Sequence, residues 1–156
     1  MKQRIVFLFI AIFLVSTTAS VADSGLITKP SAHSAKETLD RLMKAVTKRG
    51  FMVFTTLDHA AAAKSKGIEM PFSSVLVFGN PKLGTPGFIR TPPLAIDLPL
   101  KALVWEDKDG KVWLSYNSGT YLHETIYRDR HGAKFNPKVM KRLNKGLATI
   151  TDEATK

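Results

Sequence analysis

Apolar and polar positions recur along this chain with two periods, and the points where the period changes mark its elements. Leu39, Leu42, Met43 and Val46 make one stripe at helical spacing. Ser34-Ala35-Lys36-Glu37 precedes them with the spacing of a capping box. In that motif the serine oxygen accepts the Glu37 N–H and the glutamate reaches back. Gly50 supplies the residue past the C-terminus, so a helix is predicted over 34–49. From Phe51 to Leu57 the period drops to two. Strict alternation puts Phe51, Val53 and Leu57 on one face and Met52 and Phe54 on the other. Apolar residues on both faces predict a central strand of a covered sheet.

Ala60 to Lys66 reads as a short helical turn stopped by Gly67. Ser73 to Phe78 is a second strand, and Leu26 to Thr28 a short extended piece before Pro30. Ala102–Glu106 and Val112–Tyr116 are two more strands. Asp107-Lys108-Asp109-Gly110 joins them, with the Asp-Gly pair that a hairpin favours. The proline- and glycine-rich segment from Gly79 to Pro99 is long for a connection, with room for one short helix around Lys82–Arg90, and long connections tend to be functional. One or two helical turns are expected over Thr120–Ile126, then a charged loop from Arg128 to Lys134.

The last element opens with Asn136 as N-cap and Pro137 at the first helical position. Val139, Met140, Leu143, Leu147 and Ile150 form its apolar stripe, with Lys138, Lys141, Arg142 and Lys145 opposite. That basic face is either solvated or turned to an anionic surface. The order predicts an α+β fold: a mainly antiparallel sheet with two long helices on one face.

Composition narrows the setting. The chain has 156 residues, 23 Lys+Arg against 13 Asp+Glu, and no Cys. That excludes disulfides, thiolate catalysis and cysteine-ligated metals. Lys2 and Arg4, the apolar run Ile5 to Val15, and Ser20 and Ala22 have the order of an export signal. Cleavage is expected after Ala22, with Ala19 as the alternative site. One domain over 23–156 then remains, periplasmic or secreted. The apolar run is short for a spanning helix, so no stable membrane insertion is expected after cleavage. The excess positive charge points either toward anionic small molecules, envelope surfaces or acidic proteins, or to nothing beyond solubility. Nucleic acid is not among them, because export removes the usual target and basic residues do not interleave with aromatics on a strand.

Three blocks carry a family resemblance: SAKETLDRLMKAVTKRGFMVFTTLDHAAAAKSKG (Ser34 to Gly67), FGNPKLGTP (Phe78 to Pro86) and IDLPLKALVWEDKDGKVWLSYN (Ile96 to Asn117). Together they resemble the domain of unknown function (DUF) 302 family over roughly residues 24–150. The resemblance implies a β-α-β4-α layout of the TATA-binding-protein-like class and homodimers. It brings no biochemical activity.

Candidate chemistry is sparse. His59 follows Asp58 at a strand end, as an oriented general base, a metal ligand or a cap of the next helical turn. The resemblance matches the Asp-His-Ala-Ala-Ala block position for position. Asn80 to Pro86 gathers backbone N–H groups, an amide and an ammonium, but lacks the spacing of a P-loop. Asp97 and Lys101 stand four residues apart, spaced for an ion pair. His33, His123 and His131 are scattered and complete no zinc motif, so no metal or cofactor is expected. Trp105 and Trp113, on paired strands, belong to the core or to a pocket. The expected site lies at the rim of a pocket closed by Gly79–Pro99. His59, Asn80, Asp97 and Lys101 would meet there around a small anionic or polar ligand. A non-catalytic ligand-binding or accessory protein of the cell envelope is the leading expectation. An enzyme using His59 as general acid or base and a dimeric interaction module are the alternatives.

Overall fold

The computed structural model describes residues 24–134 and 136–156. The expected signal peptide, 1–22, lies outside the described residues. Strand β1 (Leu26–Pro30) precedes helix α1 (Ala35–Lys48), then β2 (Met52–Asp58) and the short α2 (His59–Lys64). After β3 (Ser73–Gly79) come α3 (Pro81–Arg90) and a 3₁₀ turn (Pro92–Ile96). The hairpin β4 (Leu100–Glu106) and β5 (Val112–Asn117) leads into the turn α4 (Gly119–Tyr121), which widens into a π-helix over Leu122–Arg130. Helix α5 (Pro137–Thr155) ends the chain. The five strands form one sheet in the order β1-β5-β4-β3-β2, every neighbouring pair antiparallel. With the short helices set aside, this is the α+β, β-α-β4-α layout expected.

Helix α1 begins where its cap places it: the Ser34 hydroxyl oxygen accepts the Glu37 N–H at 3.3 Å. The Glu37 carboxylate turns instead to His33 Nδ1, 3.2 Å away. Gly50 ends the helix at φ +74°, a conformation that costs glycine little. Asn136 caps α5 through Lys138 N–H at 2.9 Å, with Pro137 in the first turn. Gly110 turns the hairpin at φ +76°, while Asp107 Oδ1 accepts the Asp109 and Lys111 N–H groups.

Both long helices pack on one face of the sheet. Leu42 and Val46 of α1, with Leu147, Ile150 and Ala154 of α5, meet Leu76, Phe78, Ala102, Val104, Leu114 and Tyr116. Their chemistry explains the burial: the inward positions of β3, β4 and β5 are apolar apart from Ser74 and, at the end of β4, Glu106. The π-helix, Leu94 of the 3₁₀ turn and Met140 close a second, smaller cluster around Leu122, Ile126 and Tyr127.

Three expectations change. Strand β2 is an edge strand rather than a central one, pairing only with β3. Its register to β3 shifts between Val53 and Thr55, which leaves Phe54 as an extra residue. A bulge of this kind moves the following residues to opposite faces. Val53 therefore faces the helices opposite Phe78, whereas Leu57 faces away opposite Val75. The apolar residues on both faces reflect that switch. The Gly79–Pro99 segment holds the expected short helix as α3, but Asn80 is the N-cap of that helix rather than part of an open loop. The helical stretch after β5 reaches Arg130, inside the expected loop.

Candidate functional site

A gap in the packing lies where the sheet end, α3 and α5 meet. The bulged Phe54 and Phe51 form one side, and Leu83, Gly84 and Phe88 of α3 the opposite one. Leu98 and Pro99, joined by a cis peptide bond, line the gap with Leu100. Tyr127 of the π-helix and Val139, Met140, Leu143 and Gly146 of α5 complete a cavity of about 500 Å³. That is within the ~300–1,000 Å³ of small-molecule sites.

The lining explains a mismatch in α5. Its apolar stripe is broader than the core requires. Met140, Leu147 and Ile150 are buried, whereas Val139 is 44% exposed and turns with Leu143 and Gly146 to the cavity. Gly146 has nothing within 4 Å of where a Cβ would stand, so the cavity reaches the helix backbone. Gly79 is tight: a Cβ there would stand 3.1 Å from both the Phe54 ring and Pro99.

Four lining residues carry nitrogen or oxygen in their side chains: Arg49, Asn80, Tyr127 and Arg142. Asn80 is spent on structure. Its Oδ1 accepts the Lys82 N–H at 3.0 Å and its Nδ2 donates to Gly50 O at 3.2 Å. Arg49 donates from both guanidinium arms to Glu153, which raises the arginine's pKa further. Burial pushes the Tyr127 phenol up to about 12, so it stays protonated across the ordinary pH range. Arg142 is exposed at the mouth, with no carboxylate or carbonyl partner among the described residues. No aspartate or glutamate lines the cavity. The lining is apolar inside and cationic at its edge.

Of the four expected site residues, only Asn80 lines this cavity. Asp97 and Lys101 border an adjoining niche of about 20 Å³, room for about one water. They do not form the expected side-chain ion pair. Asp97 Oδ2 lies 2.5 Å from His131 Nε2 and 3.3 Å from Arg130 Nε, while Lys101 Nζ donates to the carbonyls of Asp97 and Pro99. His59 is exposed, opens α2 and stands apart from the cavity. Met52 pairs with Gly79 at one end of β2 and Asp58 with Ser74 at the other, so about 20 Å of strand separates His59 from Asn80. Asp58 does not orient His59, because its Oδ1 accepts the Ala61 N–H at 2.8 Å. The four residues therefore do not converge. Sequence reasoning missed Phe54, Tyr127, Arg142 and Gly146. Their usable signals were a second apolar row on α5 and a glycine in a helix interior.

The sheet face turned away from the helices is also apolar. Val75, Val77, Leu103, Trp105 and Trp113 alternate with the core residues and are half-buried. The two indoles stack with centroids 6.0 Å apart. Trp105 Nε1 donates to Ser115 Oγ and Trp113 Nε1 to Asp107 Oδ2. Among the described residues no group of three His, Asp or Glu is placed to hold a metal ion. Nor is any helix among them long and apolar enough to cross a membrane.

The profile described as Domain of unknown function DUF302 matches residues 27–150. The chain belongs to the DUF302 family. A crystal structure of an uncharacterized conserved DUF302 protein from Bacillus stearothermophilus superposes with a TM-score of 0.69 at 18% identity. The match covers 84% of this chain and 98% of that one, and at this identity it speaks for the fold. Over 137 residues the chain is 39% identical to proteins named Fluoride-specific ion channel FluC 1 in Brucella suis and FluC 2 in Brucella melitensis. It is matched over 87% of its own length but spans only 52% and 49% of theirs, about half of each relative. Their channel name describes those longer proteins.

Proposed function

We propose that this DUF302 protein is an exported, non-catalytic small-ligand-binding or accessory protein of the cell envelope, its ligand seated in the cavity between α3 and α5. The observation that carries the reading is that cavity: about 500 Å³ and lined mostly by apolar side chains. Space of this kind is lost contact for the residues around it, and a fitting apolar molecule restores it. The relatives in Brucella support the envelope setting, since proteins named as ion channels contain a segment like this chain. A binding role is favoured over acid–base catalysis by His59, whose neighbouring carboxylate is engaged as a helix cap.

The test is a thermal-shift panel of small amphipathic compounds on the protein and on Gly146→Leu, which fills the cavity from a position with open space around it. Compounds that raise the midpoint of the parent and not of the variant support the reading. A panel in which every compound shifts both proteins alike, or neither, overturns it. Export is checked separately: protein from the envelope fraction should start at Asp23 by mass spectrometry, and an intact Met1 sinks the cleavage.

One observation favours a second reading, self-association. The exposed sheet face presents Val75, Val77, Leu103 and the Trp105–Trp113 stack, and neither long helix lies over it. Contiguous apolar surface of this kind marks interfaces. A second copy offers the same face, as closed two-fold dimers do.

A further inference from the structure

We infer that the cavity takes a single-chain amphipathic anion, its apolar tail inside and its carboxylate-type head against Arg142. The inference rests on the ligand-binding reading above and adds the chemical class. Charge argues first. The edge of the cavity carries Arg49 and Arg142, and no acidic side chain lines it. Arg49 is already neutralised by Glu153. Arg142 has no such partner among the described residues, so its planar fork remains available for a head group. A guanidinium and a carboxylate fit each other through two parallel hydrogen bonds.

Depth fixes the orientation. Arg142 is exposed at the mouth, whereas Met140 and Tyr127 are buried. A charge driven inward would meet Phe88, Leu98 and Leu143 and lose its water without compensation. The tail therefore enters and the head stays at the edge. Arg142, Gly146, Val139 and Leu143 follow one another at helical spacing on α5, so one helix face supplies the head contact and the tail wall.

Volume sets the length. About 500 Å³ is the size of a site for one small molecule. One medium-length chain with its head fits.

Titration calorimetry of the purified protein with decanoate, decanol and butyrate tests this, below micelle-forming concentrations. Decanoate should bind at least about tenfold more tightly than decanol, the worth of one charge-assisted contact. Butyrate should bind far more weakly, since its short chain leaves most of the cavity unfilled. Arg142→Gln should remove the preference for decanoate while leaving decanol binding in place. Gly146→Leu should abolish both without lowering the unfolding midpoint. Equal affinity for decanoate and decanol, or an Arg142→Gln variant that keeps the preference, overturns the anionic class. If both ligands still depend on Gly146, the cavity reading survives that result. If none of the three probes binds, the class is overturned as well, and compounds that shift the parent but not Gly146→Leu in the thermal-shift panel would keep the cavity reading.

Discussion

Arg49, at the end of α1, grips Glu153, in the last turn of α5, through both arms of its guanidinium. At the adjacent residue, Lys29 of β1 reaches Asp152 at 2.6 Å. The C-terminal end of α5 is thus fastened to the first helix and to the edge strand by two ion pairs. Both carboxylates are held below their usual range. Glu153 is lowered first by the hydrogen bond from Arg49, and Asp152 by those from Lys29 and Lys156.

The sign of the pH dependence follows. A carboxylate whose folded pKa is depressed adds stability that is present above its unfolded value, ~4, and is lost as pH falls through the folded value. Urea midpoints should therefore hold from pH 7 down to about 5 and drop on further acidification. Glu153→Gln should lower the midpoint at pH 7 and flatten that drop. Both ion pairs are open to water, so the effect is small and shrinks in high salt. A variant as steep as the parent between pH 5 and 2 would assign the acid sensitivity to other groups.

Leu42 is fully buried between α1 and the sheet. Truncating it to alanine removes its contacts with the sheet and leaves a cavity, which should cost ~2–5 kcal/mol by chemical denaturation. Leu57 is the counterpart on the far side of the β2 bulge, half exposed on the open face. Leu57→Ala should fall below about 1 kcal/mol in the monomer. Equal losses at the two positions would mean that the open face is covered.

The contrast between those two leucines shows what the sequence discloses. Helical stripes, caps and the Asp-Gly hairpin are local, and α1, α5 and β4–β5 were legible from them. The bulge at Phe54 is not local, because it depends on where β3 pairs, and without it the alternation of β2 is assigned to the wrong faces. The site failed for a related reason. His59 is near Asn80 in a sequence-ordered picture, yet they stand at opposite ends of one strand pair. Arg142 read as one more charge on a solvated helix face, and only the folded placement of α5 beside the cavity puts it at the mouth.

Asp97 supplies a direct test of that revision. Its carboxylate is 17% exposed and pairs with His131 and Arg130, tying the segment after the π-helix to the start of β4. Asp97→Ala leaves the nearly buried His131 ring without its acceptor. The expected loss is ~1–3 kcal/mol. His59→Ala, at an exposed position, should stay within about 0.5 kcal/mol and should not alter ligand binding in the cavity. A ligand whose affinity falls on His59→Ala would return the site to the other end of β2.

The open sheet face yields the last prediction. Leu103 lies at its centre, paired across strands with Val75 on one side and Ser115 on the other. If two copies meet through this face, Leu103 is buried twice over in the dimer and stays half exposed in the monomer. Leu103→Lys then places two like charges across a dry, symmetric interface, where an uncompensated charge is costly. Sedimentation velocity at micromolar concentration should show a dimer for the parent and a monomer for Leu103→Lys. The variant's helical circular dichroism should be unchanged, because the substituted side chain points away from the core. Lys108→Glu, at the exposed tip of the hairpin, serves as a charge change outside the face and should leave the dimer intact. A parent that sediments as a monomer at every concentration, or a Leu103→Lys variant that stays dimeric, removes this face from consideration as the self-association surface.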